Sequence, residues 1–139
     1  MALFTLDTSA IACMMRREPG FETVRDLVDG APVTDDRILI PFIVPMEVEY
    51  VSLREENSEI VDRWLDEIEA WPATIIESNQ RWRRLAAHVK STTRLSLADA
   101  WVAALALLED ATLIHKDPEF DPIPGLKHLR LPYRPRSRR

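Results

Sequence analysis

Short apolar runs alternate along the chain with longer stretches whose apolar positions recur at helical spacing. Ala2 to Leu6, Arg37 to Phe42, Ala73 to Ile76 and Thr112 to His115 are brief, apolar and rich in β-branched residues, and each reads as a buried strand. Leu129 to Leu131 reads as a last short one. Between them, Ile11 to Arg16 predicts a helix stopped near Pro19-Gly20. Phe21 to Val28 predicts a second, apolar at 21, 24, 27 and 28 and closed by Asp29-Gly30, with Ala31 to Asp36 as loop. Pro45 suits the first turn of a helix running through Leu53. Ser58 opens another, with Ile60, Val61, Trp64, Leu65 and Ile68 on one stripe, and Asn79 caps one that runs to about Lys90. Ser96 begins a nearly all-apolar helix to Leu108, the pattern of a helix buried between layers. Strands alternating with helices in this way predict an α/β fold: a three-layer parallel β-sheet of four to five strands flanked by helices. Ligands in such sheets sit beyond the carboxyl ends of the strands, where the strand order reverses.

Composition adds limits. A chain of 139 residues, 46% hydrophobic and 29% charged, is the size and make-up of one globular domain. That domain is expected over residues 1–132, with a basic and flexible tail over 133–139. Glycines at 20, 30 and 125 are too scattered for a dinucleotide fingerprint or a P-loop. A single cysteine, Cys13, excludes an internal disulfide and a cysteine-rich zinc site, and it fits a reducing compartment. Leu97 to Leu108 is the longest apolar stretch and is interrupted by Asp99, whereas a membrane span needs roughly 20 residues. No basic segment precedes the first apolar run, so no signal peptide is read. A cytoplasmic protein with no membrane association is the expectation.

The net charge of -5 argues against coating nucleic acid by bulk electrostatics, but the charge is segregated. Residues 44–69 hold nine acids against two arginines. Residues 78–98 hold Arg81, Arg83, Arg84, Lys90 and Arg94 with no acid, and the tail from Lys127 onward is likewise all basic. Arg81, Arg83, Arg84 and Arg94 are therefore the candidate contacts to a phosphate backbone. Trp82 lies among them, so it is read either as core or as a platform for a base, and Trp101 as core.

Carboxylates follow the strands. Asp7 ends the first and Asp117 follows the fourth, while Glu47 and Asp99 lie in early helical turns. Ordinary roles compete for each: Asp7 suits an N-cap, Asp99 stands three after Ser96 as in a capping box, and Asp117 and Asp121 precede prolines as turn residues do. Glu47 shares helical spacing with Val44, Val48 and Val51 and points the way the apolar stripe points, whereas Glu49 lies with Ser52 and Glu56 on the opposite, wet face. A carboxylate on a buried face requires a partner, and a metal ion is one. Oxygen ligands without a Cys or His cluster specify a hard cation, Mg2+ or Mn2+, suited to phosphoryl chemistry. His88, His115 and His128 show no metal-ligand spacing.

Leu-Asp-Thr-Ser-Ala at 6–10, Pro-Met-Glu-Val-Glu-Tyr at 45–50, Leu-Ser-Leu-Ala-Asp-Ala at 95–100 and His-Lys-Asp-Pro-Glu-Phe at 115–120 resemble the PIN domain family, most nearly the VapC-type toxins of type II toxin–antitoxin modules. The resemblance covers nearly the whole chain. It implies a Mg2+-dependent endoribonuclease, commonly a homodimer, inhibited by a cognate antitoxin protein. By position, Asp7, Glu47, Asp99 and Asp117 fall on the family's acidic quartet, with Asp7 and Asp99 holding the principal ion. Asp121 falls where an auxiliary acid stands, and Ser9 where a small hydroxyl supports the metal's water. The second motif offers Glu49 beside Glu47, and the basic tail is not a family feature. Two other readings stay open: a housekeeping PIN nuclease that processes RNA, and a PIN-like RNA-binding module without cleavage. A phosphoacceptor receiver domain and an Asp-x-Asp phosphatase fail for want of the acids they need at Thr8-Ser9 and Ala73 to Glu77.

Overall fold

A computed structural model describes residues 1–133. The order is β1 (Leu3–Leu6), α1 (Thr8–Met15), α2 (Phe21–Thr34), β2 (Arg37–Pro41), α3 (Ile43–Glu55), α4 (Ser58–Ala70), β3 (Ala73–Ile76), α5 (Gln80–Thr92), α6 (Leu97–Glu109), β4 (Thr112–His115), a 3-10 turn (Pro118–Phe120) and β5 (Lys127–Arg130). All five strands are parallel and lie in the order β3-β2-β1-β4-β5. The fold is the expected sheet flanked by helices. Right-handed crossovers of this order put α1 to α4 on one face and α5 with α6 on the other, in keeping with the packing of α1 on α2 and α3 and of α5 on α6. The strand order reverses between β1 and β4, so their carboxyl ends flank the crevice where such sheets bind ligands.

Element boundaries largely follow local chemistry, with α1 opening at Thr8 and β5 at Lys127, each earlier than the sequence suggests, and with one larger departure. Asn57, Asn79 and Ser96 cap α4, α5 and α6 by accepting backbone N–H groups, as the sequence suggests. α2, however, continues through Gly30 and Pro32 to Thr34, where a loop was expected. Val24, Val28 and Ala31 keep the inward helical spacing and are all buried, so tertiary burial outweighs two poor helix formers. Asp35, in the left-handed conformation, then ends the helix by donating its N–H to Ala31 O at 3.1 Å.

α6 is the centre of the core. Ala100 and Val102 to Ala106 are buried, and the helix packs on β1, β2 and β4 with α5 outside it. Phe42, Trp82 and Trp101 meet edge to face with ring centroids 5.0–5.5 Å apart, joining the end of β2 to α5 and α6. Trp82 is fully buried, with its indole N–H donating to Trp101 O at 2.9 Å. It is a packing residue, and the alternative of a base-stacking platform is excluded by its burial. On the other face Val61 and Ile68 of α4 are buried and Trp64 is half-buried. The Arg16 guanidinium lies 5.8 Å from the Trp64 ring centroid and pairs with Glu55 at 2.7 Å, tying α1 to α3 and α4. Among the described residues no helix is long and apolar enough to cross a membrane.

Replacing Trp82 with Ala is expected to cost about 3–5 kcal/mol, the range for truncating a buried aromatic. Chemical denaturation checks this, and a loss near zero would contradict the packing role.

Candidate active site

Asp7 is the first residue beyond β1 and the N-cap of α1. Its Oδ2 accepts from the Ser9 N–H at 3.1 Å and from the Ser9 hydroxyl at 2.6 Å. The Ser9 hydroxyl oxygen accepts in turn from the Lys116 N–H at 2.9 Å, and the Asp7 N–H donates to Ile114 O at 3.1 Å. Ser9 therefore stitches the two strand ends together across the point of order reversal. The other Asp7 oxygen, Oδ1, is buried and has no hydrogen-bond partner among the described residues. One carboxylate thus does both things open to it: one oxygen caps a helix, and the other is held ready for something else.

Glu47 and Asp99 close on it. Glu47, half-buried on α3, accepts a short hydrogen bond of 2.5 Å from the Thr8 hydroxyl. Val44 and Val48 lie in the core and Glu49 is exposed, which agrees with the direction read from the spacing. Ser52, expected on the wet face, is buried instead: it stands four residues after Val48 and follows the same stripe inward. Asp99 gives its N–H to the Ser96 hydroxyl at 3.1 Å, so its backbone serves the cap of α6. Ligand oxygens of Asp7, Glu47 and Asp99 lie within 4.8 Å of one another.

Asp99 also belongs to a second group, with Asp117 and Glu119, whose oxygens meet the same distance limit. Asp117 caps the 3-10 turn by accepting the Glu119 N–H at 2.9 Å, and donates its own N–H to Nδ1 of His115 at 3.1 Å. Glu119 escaped the sequence reading, since only the turn brings it to the rim. Asp121 stands apart from both groups. Its Oδ1 accepts from Arg130 Nε and the Tyr133 hydroxyl, each at 2.7 Å, beside His115 and His128. The structure therefore groups it with the histidines and not with the other acids, its carboxylate held by Arg130 of β5 and by Tyr133.

Burial dominates the electrostatics. It pushes Asp7 up to about 6, with repulsion from Glu47 adding and the Ser9 hydrogen bonds opposing. It pushes Asp99 up to about 8, reinforced by repulsion from Asp7, Glu47 and Asp117. Three carboxylates pressed together with one orphaned buried oxygen fit a divalent cation of the hard, oxygen-seeking kind. Burial and the neighbouring His128 hold His115 down at about 4, so that ring is neutral near pH 7.

Of the basic candidates, Arg94 lines a groove of about 590 Å³ together with Pro118 and Glu119, placing it at the acidic rim. Arg81, Arg83 and Arg84 are exposed on α5 and make no ion pair among the described residues. The basic tail beyond Tyr133 lies outside the described residues.

The PIN domain family model matches residues 4–126. The VapBC2 structure from Rickettsia felis, bound to a promoter DNA fragment, superposes with a TM-score of 0.76 at 20% identity, over 94% of this chain and 99% of that one. VapBC-1 from nontypeable Haemophilus influenzae gives 0.70 at 23% identity, over 92% and 97%. VapC20 from Mycobacterium tuberculosis, titled a sarcin-ricin loop cleaving toxin, gives 0.69 at 13% identity, over 85% and 92%. At these identities the likeness establishes the fold. No curated protein matches the chain by sequence.

A carboxyl with a higher pKa in the folded than in the unfolded chain binds its proton more tightly in the fold, so stability falls as pH rises from the unfolded value up to the folded one and levels off beyond it. His115 acts in the opposite sense, but only below its unfolded pKa of 6.5. The melting temperature of metal-free protein is therefore expected to fall between about pH 6.5 and about pH 8, and to level off above that, where Asp99 is ionised in the folded and unfolded chain alike. Asp99→Asn should flatten that slope, and Mg2+ should raise the melting temperature more at the upper pH than at about pH 6. Equal slopes in both proteins would contradict the assignment.

Proposed function

The chain belongs to the PIN domain family, and from that premise we propose that it is a divalent-metal-dependent endoribonuclease, the toxin of a toxin–antitoxin pair in the cytoplasm. The observation that carries the reading is the convergence of Asp7, Glu47 and Asp99 around a buried, unpartnered carboxylate oxygen at the sheet's point of order reversal. Mg2+, for which Mn2+ can substitute, would be held by Asp7 and Asp99, and it supplies charge neutralisation at a phosphodiester and acidifies water. The chain's own residues do the rest. Ser9 fixes the rotamer of Asp7 through Oδ2, and Oδ1 has no hydrogen-bond partner among the described residues. Thr8 holds Glu47 by one oxygen, which leaves the second to orient the attacking water and take its proton. Asp117 and Glu119 extend the negative rim on the side of Asp99. Arg94 at the groove, with Arg81, Arg83 and Arg84 on α5, supplies cations along which the RNA backbone runs.

Support for the toxin assignment comes from the company the fold keeps. Several similar structures are toxin–antitoxin complexes, and one is titled a toxin that cleaves the sarcin-ricin loop. An antitoxin protein is the proposed partner, and a homodimer the proposed assembly.

Purified protein free of any antitoxin, incubated with total RNA, is expected to yield discrete fragments in Mg2+ and in Mn2+ and none in EDTA. Asp99→Asn should abolish cleavage while keeping its thermal transition, because the cap of α6 uses only the backbone N–H at this position, which Asn keeps, whereas its amide is a poor ligand for a hard cation. Intact RNA in every metal condition would favour a binding module without catalysis. Glu47→Gln is expected to slow single-turnover cleavage by about 10²-fold or more, the scale of a lost general base. Glu49→Gln should leave the rate near wild type, and the reverse pattern would transfer the role to Glu49.

A further inference from the structure

A second constellation lies where β4 meets the edge strand β5. His115 Nε2 and His128 Nδ1 face each other at 2.8 Å, and a carboxylate oxygen of Asp121 lies within 4.8 Å of a ring nitrogen of each. The parallel register explains the meeting: Leu113 pairs with His128 and His115 with Arg130, so both imidazoles stand on one face of the sheet, a single step apart along it. Arg130 and Tyr133 both grip Asp121 through Oδ1, which orients the carboxylate and leaves Oδ2 without a hydrogen bond among the described residues. Two imidazoles and one oriented carboxylate form the ligand set of Zn2+ and its borderline neighbours, unlike the all-oxygen set around Asp7.

We propose that His115, His128 and Asp121 form a second metal site, selective for Zn2+-class ions, which when filled restrains the acidic site next to it. A tetrahedral ion with bonds of about 2.0–2.1 Å holds its ligand atoms roughly 3.3–3.4 Å apart. The imidazoles thus have to part by about half an ångström, a shift that β5, paired on one side only, can accommodate.

The coupling follows from the proton on His115. That ring takes the Asp117 N–H at Nδ1, so its own proton is on Nε2, shared toward His128. Coordination through Nε2 displaces this proton, and a neutral ring then carries its proton on Nδ1. Nδ1–H cannot accept from the Asp117 N–H, so that hydrogen bond breaks and Asp117, with the turn it caps, is released from its place beside Asp99. The effect on cleavage rests on the ribonuclease reading; the metal binding does not.

Cobalt tests the site, since Co2+ in a tetrahedral nitrogen and oxygen set absorbs visible light strongly and in octahedral oxygen sites only weakly. Full-length protein, with excess Mg2+ present to occupy the carboxylates, is titrated with Co2+. Strong bands that saturate at one equivalent are expected in the wild type and in Asp99→Asn. They should be lost in His128→Gln, whose amide oxygen can still accept from His115, and in Asp121→Asn. Circular dichroism melting confirms that each variant is folded. No bands in the wild type, or bands that survive His128→Gln while vanishing in Asp99→Asn, overturn the site. For the coupling, the ratio of RNA cleavage with and without Zn2+ should collapse in the wild type and stay near unity in His128→Gln. Equal suppression in both overturns it. Protein that binds Co2+ as expected but leaves RNA intact contradicts the ribonuclease reading and leaves this site standing.

Discussion

A carboxylate buried without a full set of partners costs free energy, and everything around Asp7 is arranged so that the fold keeps one. Its Oδ2 is committed to Ser9 and to the first turn of α1, while Oδ1 is enclosed without a hydrogen bond. Removing a charge from water without a partner raises its pKa before anything else yields, and Asp7 and Asp99 both show that response. Folded chains rarely retain such an arrangement for stability alone. A cation that neutralised the cluster would turn its unfavourable charge into binding energy.

The sheet makes this meeting possible. Because the order reverses between β1 and β4, the crossovers leave on opposite faces and a crevice opens between the two strand ends. The Ser9 hydroxyl spans that gap to the Lys116 N–H, so the residue that aims Asp7 also fixes the start of the segment bearing Asp117 and Glu119. α3, directly after β2, and α6, which follows α5 and leads into β4, deliver Glu47 and Asp99, with Thr8 holding the first and Ser96 the backbone of the second. Asp7, Asp99 and Asp117 sit at capped termini and Glu47 is held through its side chain by Thr8, which gives the rigidity that a metal site requires.

Much of this was legible in the sequence, for identifiable reasons. β3 and β4 were readable to the residue because short apolar runs bounded by turn formers admit few alternatives. Glu47 was separable from Glu49 because helical spacing says which side faces in. What stayed hidden depended on tertiary contacts. The last turn of α2 forms because Ala31 is buried, which no local propensity of Gly30 or Pro32 announces. Glu119 joins the rim, and Asp121 leaves it, through the course of a 3-10 turn and a bond to β5. The facing of His115 and His128 needs the β4–β5 register, and thirteen residues of spacing carry no hint of it.

The same register sets two different donor sets within one turn of each other, one of oxygens only and one of nitrogens with a carboxylate, joined by a single backbone N–H at Asp117. Mn2+ reports on the oxygen set, since the ion binds where Mg2+ does and scatters anomalously. A crystal of the full chain grown with Mn2+ and measured for anomalous signal should show density in contact with Asp7 Oδ1 and the Asp99 carboxylate. Density that avoids Asp7, or none in crystals saturated with the ion, would contradict the account.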